Sequence, residues 1–430
     1  MKNTFVISCP IDTYSGYGAR SRDVVKALIE LDKYDIKIMP QRWGNTPWGF
    51  IEDHKEWHFL KPHLLPVGKS LTSKPDIWAQ ITVPNEFQAI GEYNIGITAG
   101  IETDTCAPQW LEGMNRMNIN FVSSQHSKTV FENSRFEIKH QQTGQVQGVV
   151  QLQKPIEVLF EGADLNTYFA DDSPCLIDFN IEESFAYLFV GHWLPGALGE
   201  DRKNVGLMVK AFYETFKNKK KKPALILKTS AQGPSYMDRD DILRRISEIR
   251  QTVNSKNLPN IYLLHGTFTD EEMNSLYNHS KVKAMVSFTK GEGFGRPLLE
   301  FSLTGKPLIS TNWSGHIDFL NGQFTTLVGG ELKPIHPSAQ VKDMLIENSR
   351  WFAPNHGQIG SYLKDMFENY KNYVDGGKRQ AYYSKTNFSF DNMKELLGKL
   401  LETNVPEIAK QVQLSLPKLE LPKLEKINTK

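Results

Sequence analysis

Short apolar runs alternate with amphipathic segments along most of the chain, and this alternation is typical of a parallel α/β sheet. The run TFVISCP is followed by a glycine-containing loop, an amphipathic segment at 19–31 and a second apolar run, DIKIMP. NIGITAG, INFVSS and IEVLFEG continue the alternation to about residue 165. Each run is short and continuous, as expected of strands that are buried on both faces. The pattern predicts a doubly wound, Rossmann-like domain over residues 1–170.

A second series of the same kind predicts a second Rossmann-like domain over residues 184–375. Its apolar runs are AYLFVGH, ALILKTS, IYLLHGT, AMVSFT and PLISTN, and amphipathic segments separate them. Polar and proline-containing sequence at 171–183 is the predicted linker. Two such domains facing each other would leave a cleft at the carboxyl ends of both sheets, which is where α/β proteins bind ligands.

The end of the chain has a different pattern. Residues 376–410 are predicted to be helical, with FDNMKELLGKLLETN as an amphipathic helix. The tail at 411–430 contains LPKLE twice in tandem, and a proline in each copy argues against a helix there. A surface tail and a partner-docking peptide both remain open.

Length, composition and charge fit a folded two-domain protein. The 430 residues exceed what one core supports, and 40% are hydrophobic and 23% charged. The net charge of +1 provides no overall attraction to nucleic acid or to an anionic membrane. Cys9, Cys106 and Cys175 lie far apart without metal or redox spacing, and no apolar run reaches the ~18 residues of a membrane span. We therefore expect a cytoplasmic protein without a transmembrane helix.

The segment GEGFGRPLLE at 291–300 places two carboxylates eight residues apart, between an apolar run and an amphipathic one. Glu292 lies in the predicted loop, and Glu300 lies about two turns into the predicted helix. The glycines between them would allow backbone N–H groups at the helix start to approach an anionic ligand. One ligand could contact both carboxylates, but the spacing fits a tight strand-to-helix turn with solvated glutamates equally well.

This segment resembles the retaining GT-B glycosyltransferases (group 1, or family 4-like), whose C-terminal domain carries a Glu, seven residues, Glu motif. The loop and helix at 189–212 are similar to the start of that family's donor domain, as are LILKTS, HGTFTDEEMNSLY and GKPLISTNWSG to its next segments. INFVSSQHSKTVFENS and EVLFEGADLNTYF are similar to the closing strands of its first domain. The resemblance covers most of residues 90–330. It implies a two-domain enzyme that transfers a sugar from a UDP- or GDP-linked donor, with retention of anomeric configuration.

The resemblance also implies roles for residues of the second domain. Glu292 would be catalytic and accept hydrogen bonds from the sugar hydroxyls, and Glu300 would bind the ribose. Arg202, Lys203 and Lys228 stand where the family places cations on the pyrophosphate, although His192 stands where an arginine is often found. Which cation meets which phosphate therefore stays open. The remaining donor contacts implied are Phe268, Gly293, Phe294, Gly295, Arg296, Pro297 and Leu298.

Two segments of the first domain are further candidates. Gly16 and Gly18 in SGYGAR would let the backbone approach the donor phosphates, although a tight turn into a helix explains them equally well. Glu102 and Asp104 follow a strand end and are candidates for an acceptor-side catalytic base. Asp104 is at least as well suited to cap the next helix.

The acceptor is predicted to bind the first domain through Arg20, Trp43 and Trp48, because these follow strand ends at one edge of the sheet. The tryptophans could stack on a sugar or a base, or pack within their own loop. A glycan, a small molecule or a protein side chain is the expected acceptor. A modified DNA base is an alternative that would require Arg20, Arg22 and Arg42 to form a basic rim.

No catalytic metal and no cofactor besides the nucleotide sugar are expected. Asp238 and Asp240 match the D-x-D string of metal-dependent transferases, but acids at a helix start are explained by the helix dipole. The lysine-rich FKNKKKKP is predicted to be a solvated turn. Other functions remain open, namely a sugar-nucleotide epimerase, a phosphorylase, or an inactive module that binds a glycan or nucleotide.

Overall fold

The structure is a computed structural model that describes residues 2–66, 68, 71, 73–231, 233–342 and 344–408. The predicted tail at 411–430, with its tandem LPKLE, lies outside the described residues. Cys9, Cys106 and Cys175 form no disulfide. Among the described residues, no helix is both long and apolar enough to cross a membrane.

The first part of the chain forms a parallel sheet flanked by helices. The strands in this part of the chain are β1 (Thr4–Cys9), β2 (Asp35–Pro40), β3 (Ile77–Ile81), β4 (Tyr93–Thr98), β5 (Ile119–Val122), β6 (Arg135–Lys139), β7 (Val146–Gln151) and β8 (Ile156–Val158), of which β6 and β7 lie outside the parallel sheet. Its helices are α1 (Gly16–Leu31), α2 (Phe50–Asp53), α3 (Pro108–Asn115) and α4 (Gln125–Asn133). The strand order is β2-β1-β3-β4-β5-β8 with parallel neighbours throughout.

The second part repeats this architecture. The strands in this part of the chain are β9 (Ala186–Val190), β10 (Ala224–Lys228), β11 (Ile261–Leu264), β12 (Val282–Ser287), β13 (Leu308–Thr311), β14 (Thr326–Val328), β15 (Gly330–Pro334) and β16 (Arg350–Pro354), of which β15 and β16 lie outside the parallel sheet. Its helices are α5 (Val205–Phe216), α6 (Tyr236–Thr252), α7 (Asp270–Asn278), α8 (Arg296–Ser302), α9 (His356–Glu368) and α10 (Lys371–Asn387). The sheet order is β11-β10-β9-β12-β13-β14, also parallel. The predicted fold class, two doubly wound parallel sheets, is confirmed.

The last described helix, α11 (Phe390–Asn404), returns to the first domain. Four of its side chains belong to the core around α1, and Gly398 packs against Leu31. Backbone hydrogen bonds join Ala163 to Phe388 and Phe390 at 3.0 and 2.8 Å. The α11 part of the predicted helical segment therefore completes the first domain, whereas residues 376–387 form the end of α10, which packs on the second domain.

Two antiparallel hairpins, β6–β7 and β15–β16, were not predicted from the sequence. The β15–β16 hairpin bears on the candidate site, because Phe352 of β16 donates its N–H to the carbonyl of Lys290 at 2.9 Å. The neighbouring residue, Trp351, is buried, and the Lys290 ammonium lies 4.9 Å from the centre of the Trp351 ring. The hairpin thus supports the loop that follows β12.

Candidate active site

The two domains meet backbone to backbone at the loop that follows β12. A Cβ atom on Gly291 would lie 2.0 Å from the carbonyl oxygen of Glu102, and one on Gly293 would lie 2.2 Å from that of Ala99. Ser123 donates a hydrogen bond to the carbonyl of Gly293 at 3.2 Å. Only glycine permits so close an approach, so these positions let the 291–295 loop lie directly against the end of β4.

Glu292 is buried at this contact between two cations. Lys203 Nζ lies 2.5 Å from one carboxylate oxygen, and an Arg202 guanidinium nitrogen lies 3.4 Å from the other. Its own N–H donates to Ser314 Oγ at 2.9 Å. Burial opposes ionisation, but the charges of Lys203 and Arg202 outweigh it and lower the pKa of Glu292 to about 2. Glu292 is therefore a carboxylate at any physiological pH.

Arg202 connects this cluster to the first domain. It donates to the carbonyl of Gly291 at 2.7 Å, and its other terminal nitrogen lies 3.6 Å from the Glu102 carboxylate. Glu102 and Glu292, both predicted catalytic residues, thus share one guanidinium across the domain boundary. The cluster of Arg202, Lys203, Glu102 and Glu292 has no formal net charge.

A further cation lies at the end of β10. Lys228 donates to the carbonyl of Gly266 at 2.6 Å, and its ammonium lies 4.4 Å from the centre of the Phe268 ring. Burial lowers the pKa of Lys228 to about 8. Desolvation of the His192 ring, followed by the charges of Lys203, Arg202 and Lys228, lowers the pKa of His192. The three predicted phosphate-binding cations therefore all lie close enough to His192 for their charges to act on it, although Arg202 and Lys203 are paired with carboxylates.

Glu300 is as buried as Glu292, but its surroundings differ. Arg296 donates its Nε–H to one carboxylate oxygen at 2.9 Å, and the Tyr277 hydroxyl donates to the other at 3.1 Å. Burial, assisted by the nearby Asp270 charge, outweighs the effect of Arg296 and raises the pKa of Glu300 to about 7. Arg296 also hydrogen-bonds Asp23 of α1, in the first domain.

The rest of the 291–300 segment is largely structural. Phe294 and Leu298 are 3% exposed and belong to the core, where Phe294 packs on Phe319. Gly295, with φ of +97°, allows the turn into α8, whose first turn contains Pro297. The N–H of Leu298 donates to Gly295 at 3.0 Å. Any ligand contact from Phe294 or Leu298 would have to come from the backbone, and the N–H of Leu298 is already used.

The two glycines of SGYGAR have different environments. Ser15 caps α1 by accepting the N–H of Gly18 at 2.9 Å. A Cβ on Gly18 would lie 2.3 Å from the Thr13 carbonyl, so this glycine is needed for the turn. Gly16 is exposed, and a Cβ added to it would have no other atom within 4 Å. A ligand can therefore reach the backbone at Gly16 but not at Gly18.

Asp104 is held by the second domain. Its carboxylate accepts two hydrogen bonds from Arg350, from the backbone N–H and from Nε, each at 2.7 Å. It does not cap α3, whose N-cap is Ala107. Its role as a catalytic base stays a prediction, but both of its oxygens are already engaged at the domain boundary.

The predicted acceptor residues lie in two environments. Arg20 is fully buried and donates to the carbonyls of Leu159 and Phe160, so it fixes the end of β8. Trp43 stacks on Tyr17 with ring centroids 3.9 Å apart. Trp48 pairs with Thr13 through a β-bridge. Both tryptophans therefore lie in the loop after β2 and contact α1 or the segment before it, whereas Arg20 is bound to the end of β8.

The D-x-D string does not form a paired carboxylate site. Asp238 accepts the N–H of Ala231 and lies 2.8 Å from His265, while Asp240 forms an exposed pair with Arg239. In the described part of the chain, no three His, Cys, Asp or Glu side chains are grouped to hold a metal ion. Metal-independent chemistry stays a prediction.

Several residues of the site were not identified from the sequence. Asp23, Tyr277 and Arg350 occupy ordinary helix or strand positions, so no motif marks them. Ser314 lies in the quoted segment GKPLISTNWSG, but nothing in that pattern predicts its hydrogen bond to Glu292. These contacts connect segments that are distant in the chain, and only the fold brings them together.

The architecture and the position of this site define the class of fold. Two Rossmann-like domains face each other across the carboxyl ends of parallel sheets, with the last helix returning to the first domain. This is the GT-B fold.

Comparison with solved structures gives the same fold. The chain resembles a glycosyltransferase from Rickettsia africae ESF-5 (TM-score 0.60, 12% identity, covering 95% of this chain and 100% of that one). It also resembles sucrose-phosphate synthase from Thermosynechococcus elongatus (TM-score 0.59, 11% identity, 94% and 99% covered). A third similar structure is Anabaena HepE in complex with UDP and glucose (TM-score 0.56, 12% identity, 93% and 100% covered). No protein-family model and no curated protein matches the sequence.

Proposed function

We propose that the protein is a glycosyltransferase that uses a nucleotide diphosphate sugar and retains the anomeric configuration. The observation that carries the proposal is the ionised Glu292, held by Lys203 and Arg202 where the two domains of a GT-B fold meet. A carboxylate there is a strong acceptor for sugar hydroxyls, and cations there suit a diphosphate. The solved GT-B structures named above, one of them in complex with UDP, support the same class of reaction.

The donor would bind the second domain. Its diphosphate would meet Arg202, Lys203 and Lys228, whose charges all act on His192. Glu292 would accept hydrogen bonds from the sugar, and Glu300 from the ribose. Because HepE was solved with UDP-glucose as well as with UDP, UDP-linked donors are the first to test, and GDP-linked donors the second.

In the reaction we propose, the bond between the anomeric carbon and the phosphate oxygen breaks while the acceptor oxygen bonds to the same face of that carbon. The acceptor proton passes to the departing phosphate. The cations stabilise the negative charge that develops on the leaving group. The backbone contact between the 291–295 loop and the end of β4 would exclude water, so that transfer outruns hydrolysis.

The acceptor would bind the first domain beside Trp43, Trp48 and Glu102. A neutral hydroxyl compound, such as a glycan, fits this surface better than DNA does. Two arginines of the basic rim that a DNA acceptor would need, Arg20 and Arg22, are 0% and 4% exposed. Arg22 donates to backbone carbonyls of residues 11 and 13 and covers the ring of Phe50.

Incubation with a panel of radiolabelled UDP- and GDP-sugars tests the proposal. We expect slow hydrolysis of one donor without acceptor, and hydrolysis about 10²–10³-fold slower by the Glu292→Gln variant. Glu137→Gln is a matched control, because Glu137 is an exposed residue on β6 that pairs only with its neighbour Lys139 among the ion pairs described. Binding without hydrolysis or transfer on any acceptor would favour an inactive module, and isomerisation of the sugar nucleotide would favour an epimerase. The anomeric configuration of the product, read by NMR coupling constants, tests retention.

A further inference from the structure

A second buried ionic cluster joins the two domains, and its ion pairs do not include Glu292. It consists of Asp23 on α1, Arg296 and Glu300 on α8, and Tyr277 on α7. The side chains of Asp23, Arg296 and Glu300 are 10%, 22% and 8% exposed. Solvent screening is therefore weak, and each hydrogen bond in the cluster affects its neighbours.

Arg296 divides its guanidinium between two carboxylates. Its Nε–H donates to Glu300, and a terminal nitrogen donates to Asp23. A planar guanidinium on a single carboxylate tends to bind both oxygens in parallel. Here Asp23 holds one end of the guanidinium, so Arg296 makes only one hydrogen bond to Glu300. The second carboxylate oxygen of Glu300 accepts the Tyr277 hydroxyl instead.

The carboxylate of Glu300 consequently retains acceptor capacity. Each oxygen receives one hydrogen bond from the protein, and an ionised carboxylate has about four acceptor positions. A vicinal diol, such as the two hydroxyls of a ribose, is a ligand that could use the remaining positions. Without Asp23, Arg296 would lose this hydrogen bond, keep only the nearby charge of Glu161 on the first domain, and could turn onto Glu300 and occupy them.

We propose that Asp23 is a positioning residue for the donor nucleotide, acting from the first domain through Arg296 on Glu300. This inference rests on the proposed function, in which Glu300 binds the ribose. Because the Asp23–Arg296 contact exists only while the domains are together, ribose binding and domain closure stabilise each other. The coupling is reciprocal, since each event must favour the other by the same factor.

The test measures how far binding depends on the ribose diol. The dissociation constants of UDP and of 2′,3′-dideoxy-UDP are determined by calorimetry, or those of the guanosine pair if GDP binds more tightly. We expect Asp23→Asn to weaken UDP binding about tenfold, the scale of a hydrogen bond to a charged group, and to leave dideoxy-UDP binding nearly unchanged. Asp23→Glu, which keeps the carboxylate, should restore most of the diol dependence.

A matched control is Asp318→Asn. Asp318 accepts the N–H of Gln125 at 2.7 Å, so this variant weakens another contact between the domains without touching Arg296 or Glu300. We expect it to leave the ratio of the two dissociation constants unchanged. An equal loss of affinity for UDP and dideoxy-UDP in Asp23→Asn, or no loss for either, would overturn the positioning role.

The wild-type protein provides a second measurement if Asp23→Asn does not fold. By reciprocity, UDP should slow amide hydrogen exchange in α1 more than dideoxy-UDP does at equal saturation, and equal protection would overturn the inference. Wild-type binding of UDP and dideoxy-UDP with equal affinity would overturn it together with the ribose role of Glu300, while leaving the proposed glycosyl transfer intact. Failure of the wild-type protein to bind UDP and GDP would instead contradict the proposed function itself.

Discussion

Glu292 and Glu300 are equally buried and eight residues apart, yet their pKa values shift in opposite directions. Glu292 faces Lys203 and Arg202, and its pKa is about 2; Glu300 shares Arg296 with Asp23, has Asp270 nearby, and its pKa is about 7. The balance of charge around each carboxylate, rather than its depth, decides its ionisation. The comparison teaches that one motif can hold a permanent anion beside a carboxylate that titrates near neutrality.

The largest effect is expected from Glu292→Gln. The substitution removes the charge that accepts the sugar hydroxyls and leaves Lys203 and Arg202 without their partner. We expect transfer to fall about 10²–10³-fold while the protein stays folded. Steady-state kinetics with the donor chosen from the panel would check this, and wild-type activity would rule out a role for Glu292 in the reaction.

A somewhat smaller effect is expected from Lys228→Ala, about 10²-fold in kcat/KM, because one cation near the leaving phosphate is lost. Lys220→Ala is the control, since Lys220 lies in the exposed turn between α5 and β10.

EDTA should leave the wild-type rate unchanged, because arginine and lysine meet the phosphate charge. Activity lost to EDTA and restored by Mg²⁺ or Mn²⁺ would contradict this prediction.

The pH dependence of nucleotide binding should distinguish the two carboxylates by about tenfold. With a pKa of about 7, Glu300 is mostly protonated at pH 6 and mostly ionised at pH 8, so its diol contact should strengthen over this range. The charged and titratable groups that interact with it are Arg296, Tyr277, Asp270 and Tyr168. Lys228 and the phosphates affect UDP and dideoxy-UDP alike, so the affinity ratio isolates Glu300. A ratio independent of pH would contradict the assignment.

The smallest effect concerns stability, where the two glutamine variants should differ in sign. The folded pKa of Glu300 is raised, so its stabilising contribution is full below its unfolded pKa and is lost as pH rises through about 7. The folded pKa of Glu292 is lowered, so its contribution is present above its unfolded pKa and is lost as pH falls toward 2. Relative to wild type, Glu300→Gln should therefore gain about 2–4 °C in Tm between pH 5 and pH 8. Glu292→Gln should have the largest loss of Tm relative to wild type at neutral pH. If the Tm of both variants changed with pH in the same way, the opposite pKa shifts of Glu292 and Glu300 would be contradicted.

The sequence was sufficient for the fold class because short apolar runs mark buried parallel strands. It also predicted α11, whose amphipathic pattern coincides with Phe390–Asn404. The pattern could not tell that α11 packs on α1, because an apolar helix face does not specify its partner. The β6–β7 and β15–β16 hairpins were missed, since they are short and lie outside the two parallel sheets.

The candidate site was predictable only in part. The spacing of Glu292 and Glu300 is local, so it could be read from the chain. The contacts that set their opposite pKa values are not local: Lys203 is 89 residues from Glu292, and Asp23 is 273 residues from Arg296. The burial of Arg20 was likewise unforeseen, because an arginine is usually exposed unless its donors are satisfied.

Calorimetric titration of the Glu292→Gln and Glu300→Gln variants tests most directly the claim that both carboxylates face one donor. Each variant is titrated at pH 8 with UDP and with the UDP-sugar that the wild-type protein hydrolyses. Glu292→Gln should bind UDP at least as tightly as wild type, because Lys203 and Arg202 lose their counter-charge, but it should lose the additional affinity that the sugar provides. Glu300→Gln should lose affinity for UDP and the UDP-sugar by the same factor. Wild-type affinities of both variants for both ligands would contradict the account.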